Sequence, residues 1–145
     1  MNKKDKNQKL YTEAKKIIPG GVMLFSKRPE NHLPGKWPTY YKKAKGAFVW
    51  DLNNKKYLDM YFGVGQSVLG YANSSIDNKV NKSNNLGNIS SLNSFYEVKL
   101  AKKLIQIHNW AGFAKFAKTG GEASAIGTRI ARSITGYEKV AICGY

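Results

Sequence analysis

The chain has 145 residues, 42% of them hydrophobic and 12% aromatic, which suffices for one ordinary domain with an apolar core and argues against wholesale disorder. No stretch approaches the roughly 18 uninterrupted apolar residues of a membrane helix, the charged N-terminus lacks the apolar run of a secretory signal, and a single cysteine, Cys143, forms no internal disulfide, so the expectation is a cytoplasmic protein with no membrane partner. The net charge of +15 raises nucleic acid as a partner, but the lysines are scattered from Lys3 to Lys139 and only Arg28, Arg129 and Arg132 are arginines, so no nucleic-acid partner is expected and a small basic nucleic-acid-binding module stands as the alternative of another class.

The polar lead gives way to a short amphipathic helix ending near Ile18, with Leu10, Ala14 and Ile17 on one face. Pro19-Gly20-Gly21 stops it, and the segment from Val22 to Pro38, with Pro29, Pro34 and Gly35, reads as an irregular crossing. Tyr40 to Tyr61 reads as β-structure. Gly46 to Asp51 and Lys56 to Tyr61 are apolar-rich runs joined by a hairpin at Asn53-Asn54, because asparagine tolerates positive φ. Gly63-Val-Gly65 through Gly70 is a glycine-rich connector whose third glycine comes two positions too late for a dinucleotide fingerprint.

A helix is predicted from Ser74 or Ser75 to about Leu86, with Ile76, Val80 and Ser83 facing inward. Ser94 and Glu97 have the spacing of a capping box, ahead of a helix from Phe95 to Ile107 that carries Val98, Ala101, Leu104 and Ile105 on one face. Trp110 to Lys118 alternates like a strand anchored by Phe113 and Phe116. Glu122 to Ser133 is helical with Gly136 as its stop, and Val140 to Cys143 is a short buried strand. Helix, strand, glycine loop, helix, strand is the pattern of an α/β domain with a parallel sheet. Residues 1–72 are expected to form an N-terminal arm with the hairpin, and residues 73–145 the start of that domain.

The chemistry sits between Lys115 and Ala123, where Thr119-Gly120-Gly121 stands between a strand and a helix. The first amides of a helix have no intrahelical partners, and the helix dipole favours an anion there. Glycine leaves room for a phosphate to approach, and the Thr119 hydroxyl adds a donor. The same residues also suit a plain strand-to-helix turn capped by Thr119. Glu122 favours the helix dipole and fits a capping role better than a chemical one.

Phe116-Ala-Lys-Thr-Gly-Gly-Glu-Ala123, with Ile126, Arg129, Arg132, Thr135-Gly136, Lys139 and Cys143-Gly-Tyr145, resembles the cofactor-phosphate loop and following helix of class III aminotransferases. Ile18-Pro-Gly-Gly-Val22, Lys45 to Asp51 with Tyr57-Leu-Asp59, Leu69-Gly-Tyr71 and Glu97 to Ala101 resemble further pieces of that family in the same order. Within it, the chain is most similar to the glutamate-1-semialdehyde aminomutase branch. The resemblance implies the start of the large domain of fold-type-I, aspartate-aminotransferase-like pyridoxal-phosphate transferases, preceded by the arm. It implies pyridoxal 5'-phosphate as cofactor, with Thr119, Gly120 and Gly121 on its phosphate and Tyr145 stacked on its ring. It further implies a homodimeric parent enzyme that transfers an amino group between small-molecule donors and a small aldehyde or ketone, with glutamate-1-semialdehyde 2,1-aminomutase as the alternative. No metal is implied.

Two departures bear on the substrate. The branch places an arginine for a substrate carboxylate after its Gly-Gly-Val, where this chain offers Lys27 or, with a shift, Arg28. It also places a tryptophan in the connector, where this chain has Val64. Lys118 and Gly121 stand where Asn and Thr are common. No lysine matches the family's Schiff-base motif, so no catalytic residue is assigned, and the chain is expected to be an N-terminal portion without activity of its own.

Overall fold

The structure is a computed structural model that describes residues 5–143. They gather into two compact units, the first ending at Asn88 and the second beginning at Ile89.

The first unit opens with helix α1 (Lys6–Ile17), whose N-terminus is capped by the Asp5 carboxylate accepting from the Asn7 N–H at 2.9 Å. Its buried face is Asn7, Tyr11 and Ala14, not the expected Leu10, Ala14 and Ile17. Leu10 is 39% exposed and Ile17 81%. The face is rotated because two polar groups are buried with partners: the Asn7 amide donates to Asp51 at 3.1 Å, and the Tyr11 hydroxyl donates to Glu30 at 2.8 Å. Hydrophobicity alone does not register such residues as core.

Pro19–Gly21 form a short 3-10 turn that ends the helix as expected. Gly21 has φ +76°, and a Cβ there would lie 2.5 Å from the Tyr11 ring, so both backbone and packing require glycine. Two further 3-10 turns, Phe25–Lys27 and Pro29–Asn31, interrupt the otherwise irregular crossing.

Strands β1 (Tyr41–Lys45), β2 (Phe48–Asp51) and β3 (Lys56–Leu58) form an antiparallel meander in the order β1-β2-β3. Ala44 pairs with Val49, and Val49 with Tyr57. The expected hairpin is β2–β3, and Asn54 takes φ 69° at its turn. Asp51, only 4% exposed, organises this turn. One carboxylate oxygen accepts from the N–H groups of Asn53 and Lys55, both at 2.8 Å, and the other accepts from Asn7 and from the Tyr57 hydroxyl, both at 3.1 Å. Burial, and then the bond to Asp51, pushes the Tyr57 phenol up to about 12.

The connector begins with a single turn, α2 (Phe62–Gly65), in which Phe62, Gly63, Val64 and Gly65 all have positive φ. It is wound left-handed, which costs a residue with a side chain about 1–2 kcal/mol. Helix α3 (Ser74–Asn84) follows, capped by Asn73, whose side chain accepts from Ser75 and Ile76. Its start agrees with expectation, but of the inward set only Ser83 is half-buried, Ile76 and Val80 being 43% and 49% exposed.

The second unit contains α4 (Phe95–Ile107) and α5 (Gly120–Thr135). Ser94 caps α4 by accepting from Tyr96, but the reciprocal bond of a capping box forms at α5, between Thr119 and Glu122, and not at Ser94–Glu97. Ala101, Leu104 and Ile105 are half-buried, while Val98 is exposed. Gly136, at φ 70°, closes α5 as expected.

The strands expected over Trp110–Lys118 and Val140–Cys143 do not form among the described residues. A parallel strand exists only beside a hydrogen-bonded neighbour reached through a long crossover, and no such neighbour lies along either segment. Phe113 accordingly stands 97% exposed.

Tyr11 and Ala14 are the only buried hydrophobic residues among those described, and most apolar side chains of the α/β elements stand exposed.

Because Asp51 satisfies four donors, Asp51→Ala should destabilise the first unit by about 3 kcal/mol or more. Asp51→Asn should cost roughly half as much, since the Asn7 amide can turn its unpartnered Oδ1 toward the new donor. Thermal unfolding of the two variants checks the order, and equal loss in both contradicts it.

Candidate functional site

Thr119 is extended (φ −132°, ψ 158°) and forms the N-cap of α5. Its hydroxyl oxygen accepts from the Glu122 N–H at 3.2 Å, and the Glu122 carboxylate accepts from the N–H groups of Lys118 at 2.8 Å and Thr119 at 3.1 Å. The threonine-x-x-glutamate spacing was legible in sequence and marks this box directly. It satisfies three backbone donors at the helix entrance. The N–H groups of Gly120 and Gly121 are the next in line, and neither has a hydrogen-bond partner among the described residues.

Neither glycine has positive φ, so neither is needed for a tight turn. What their missing side chains provide is space. A Cβ at Gly120 would meet nothing within 4 Å, and one at Gly121 only the Thr119 hydroxyl at 4.0 Å. An anion can therefore approach two unpartnered amides at the positive end of a 16-residue helix. The Thr119 hydroxyl, used as an acceptor, keeps its hydrogen for the same anion. The residues fit a phosphate. Tyr145, the fourth site residue expected, lies outside the described residues.

In the first unit, the two candidate cations differ. Lys27 is exposed. Arg28 is half-buried, with its guanidinium 5.0 Å over the Phe25 ring and packed against Gly20, and its Nε is buried without a partner. Val64 is 60% exposed. An open cavity of about 300 Å³ adjoins the connector, lined by Gln66, Leu69, Tyr71, Asn73 and Ile76 among others.

A pair that sequence reading did not join is Asp59 and Tyr71. The Tyr71 hydroxyl donates to Asp59 at 2.6 Å. Desolvation raises the Asp59 carboxyl, but the Tyr71 bond and the amides of Tyr61 and Phe62 outweigh it and hold it below the usual carboxylate range. The same bond, followed by burial, pushes the Tyr71 phenol up to about 12. The stabilisation linked to Asp59 is therefore present above the ordinary carboxylate value and lost as pH falls through the lowered one. That linked to Tyr71 is present below the ordinary phenol value and lost as pH rises through about 12. Among the described residues, no group of three or more His, Cys, Asp or Glu side chains has the makings of a metal site, and no helix is long and apolar enough to cross a membrane.

The fold has solved relatives. FumI from Sphingopyxis sp. MTA144, in its PLP internal aldimine form, aligns with a TM-score of 0.84 at 28% identity, over 92% of this chain and 32% of that one. The class III aminotransferase family profile matches residues 31–142, and the chain belongs to that family. It is 36% identical to the 3-aminobutyryl-CoA aminotransferase of Cloacimonas acidaminovorans over 97% of this chain and 34% of that protein. It is 34% identical to the glutamate-1-semialdehyde 2,1-aminomutase of Nitrosopumilus maritimus over 92% of this chain and 30% of that protein. The aminomutase name recurs among further relatives at 31–34% identity. The chain spans about a third of the length of these curated relatives.

Removing the Glu122 carboxylate leaves the amides of Lys118 and Thr119 without an acceptor. Glu122→Ala should cost about 1 kcal/mol and fray the start of α5, with Glu122→Gln retaining most of the stability. Circular dichroism and amide exchange at Ala123 and Ser124 measure the effect, and an unfrayed helix in Glu122→Ala contradicts the role.

Proposed function

We propose that the chain is the N-terminal third of a pyridoxal-phosphate-dependent enzyme that moves an amino group on a small aldehyde or ketone. The observation that carries this is the start of α5, where the Gly120 and Gly121 amides are unpartnered and uncovered in a member of the class III family. Those two amides and the Thr119 hydroxyl would hold the cofactor phosphate. Pyridoxal phosphate, when bound, supplies the electron sink for chemistry at the amino-bearing carbon. Tyr145 is assigned to the cofactor ring on sequence alone.

The intramolecular reaction, glutamate-1-semialdehyde 2,1-aminomutase, has the support of the recurring name among relatives. Transamination of a different aldehyde or ketone is the second reading, favoured by Val64 in place of the branch's tryptophan in the substrate pocket and by the segment from Met23 to Arg28. Of the two cations offered for a substrate carboxylate, exposed Lys27 is the better placed to reach it, because Arg28 is folded against Gly20 and Phe25. An ammonium makes a point contact where a guanidinium makes a fork, which suits a differently shaped carboxylate. The open apolar faces fit cover by further chain and by a second copy. No lysine of residues 1–145 has an assigned Schiff-base role, and residues 1–145 alone are expected to show no turnover.

In the full-length gene product, Gly120→Val should weaken cofactor retention far more than Thr119→Ala. Valine fits the backbone at Gly120 but occupies the space over the two amides, while Thr119→Ala removes one charge-assisted hydrogen bond, about 1.5–3 kcal/mol, and the cap on the Glu122 amide, about 1 kcal/mol. Retention after dialysis is compared, with folding checked by circular dichroism. Undiminished retention in both variants removes the phosphate assignment.

A further inference from the structure

The connector is held at both ends by one ring of hydrogen bonds. Asp59 donates its N–H to the Ala47 carbonyl at 2.9 Å, and one carboxylate oxygen accepts from the N–H groups of Tyr61 at 2.8 Å and Phe62 at 3.3 Å. The other accepts from the Tyr71 hydroxyl. Tyr71 is in turn tied to the β1–β2 turn, exchanging both backbone hydrogen bonds with Gly46 at 2.8 and 2.9 Å. Gly70 allows this approach, since a Cβ there would lie 3.2 Å from the Gly46 Cα. The connector thus leaves the meander at Asp59 and returns to it at Tyr71, and the side chains of the two anchors meet.

Between the anchors lies the left-handed turn. Phe62, Gly63, Val64 and Gly65 have φ of 50°, 59°, 62° and 83°. Glycine takes such values freely, but a β-branched valine does not. Backbone bonds at the turn run from the Val64 N–H to the Tyr61 carbonyl and from the Gln66 and Ser67 N–H groups to the Phe62 carbonyl. A strained segment persists when its surroundings over-determine it. The anchors do this: Asp59 fixes the amide of Phe62, the first left-handed residue, and a Cβ at Gly63 would stand 3.7 Å from the Tyr71 hydroxyl.

We propose that Asp59 and Tyr71 are positioning residues for amino-group transfer, holding Phe62–Gly65 in the left-handed turn and thereby setting where the Val64 side chain stands. The proposal rests on Val64 being a pocket residue, as read under Proposed function. Asp59 and Tyr71 need touch no substrate. Their effect is to keep a strained backbone from relaxing and carrying Val64 away.

The test uses Tyr71→Phe, Val64→Gly and the double variant of the full-length gene product. Tyr71→Phe is expected to speed exchange of the Ser67 amide about tenfold, since the turn opens locally. It should raise KM about fivefold, with kcat within about twofold, for glutamate-1-semialdehyde, or for succinic semialdehyde with an amino acid as amino donor, whichever turns over. Adding Val64→Gly should return Ser67 exchange to within about twofold of the parent, because glycine removes the strain of the β-branched residue at position 64. Repair by glycine ties the loss to backbone strain at position 64, and the KM of Tyr71→Phe reports whether that strain positions the pocket. Unchanged Ser67 exchange in Tyr71→Phe, or failure of Val64→Gly to restore it, overturns the proposal. Restored exchange with an unmoved KM overturns the positioning role. The exchange assay needs no turnover, so its failure is distinct from failure of the amino-transfer reading.

Discussion

The Asp51 carboxylate accepts from Asn7 on α1, from the amides of Asn53 and Lys55 in the hairpin turn, and from Tyr57 on β3. A carboxylate taken out of water is tolerated when donors replace its hydration, and here the four donors come from three local elements, α1, the hairpin turn and β3. The carboxylate therefore acts as a register mark. With the hairpin turn fixed, β2 meets β3 in one pairing, the β1–β2 turn falls at Gly46, and Gly46 receives Tyr71. The path from one buried acid to the connector runs through backbone geometry, in a unit whose apolar core is small.

The second unit uses the same economy of donors at the start of α5. An N-terminus leaves four amides without helical acceptors. The Thr119–Glu122 box takes the Glu122 amide and the two amides before the helix, and Gly120 and Gly121 remain. The box that stabilises the helix thus also selects where an anion can be held. Phosphate binding and capping were competing readings of Thr119 at the level of sequence. In the structure the hydroxyl oxygen serves the cap while its hydrogen stays available, so the two roles are compatible.

Legibility of the fold followed the range of the interactions. Local chemistry was readable: Asn54 at positive φ, Gly136 closing α5, and Pro19-Gly20-Gly21 ending α1 are each set by neighbouring residues. The buried face of α1 was misread because it depends on Asp51 and Glu30, some 44 and 19 residues away from their partners Asn7 and Tyr11. β1 was not singled out, because Tyr41-Lys-Lys-Ala-Lys45 has almost no apolar signal and owes its pairing to β2. Trp110–Lys118 and Val140–Cys143 have strand-like patterns but no neighbour to pair with. Thr119, Gly120 and Gly121 were singled out from residue type and order, and the structure adds that the two glycines leave open space at the start of α5. The Asp59–Tyr71 pair joins two motifs that were read separately, and no spacing rule announces it.

The two amides left unpartnered at the start of α5 are proposed to receive the cofactor phosphate. The most direct measurement is the response of glycine amide signals in the full-length gene product, labelled with ¹⁵N-glycine, as pyridoxal phosphate is added to the cofactor-free protein. With the phosphate at the start of α5, the Gly120 and Gly121 amide protons move downfield together while Gly136, at the far end of the same helix, stays in place. Bound cofactor with Gly120 and Gly121 unmoved would contradict that placement.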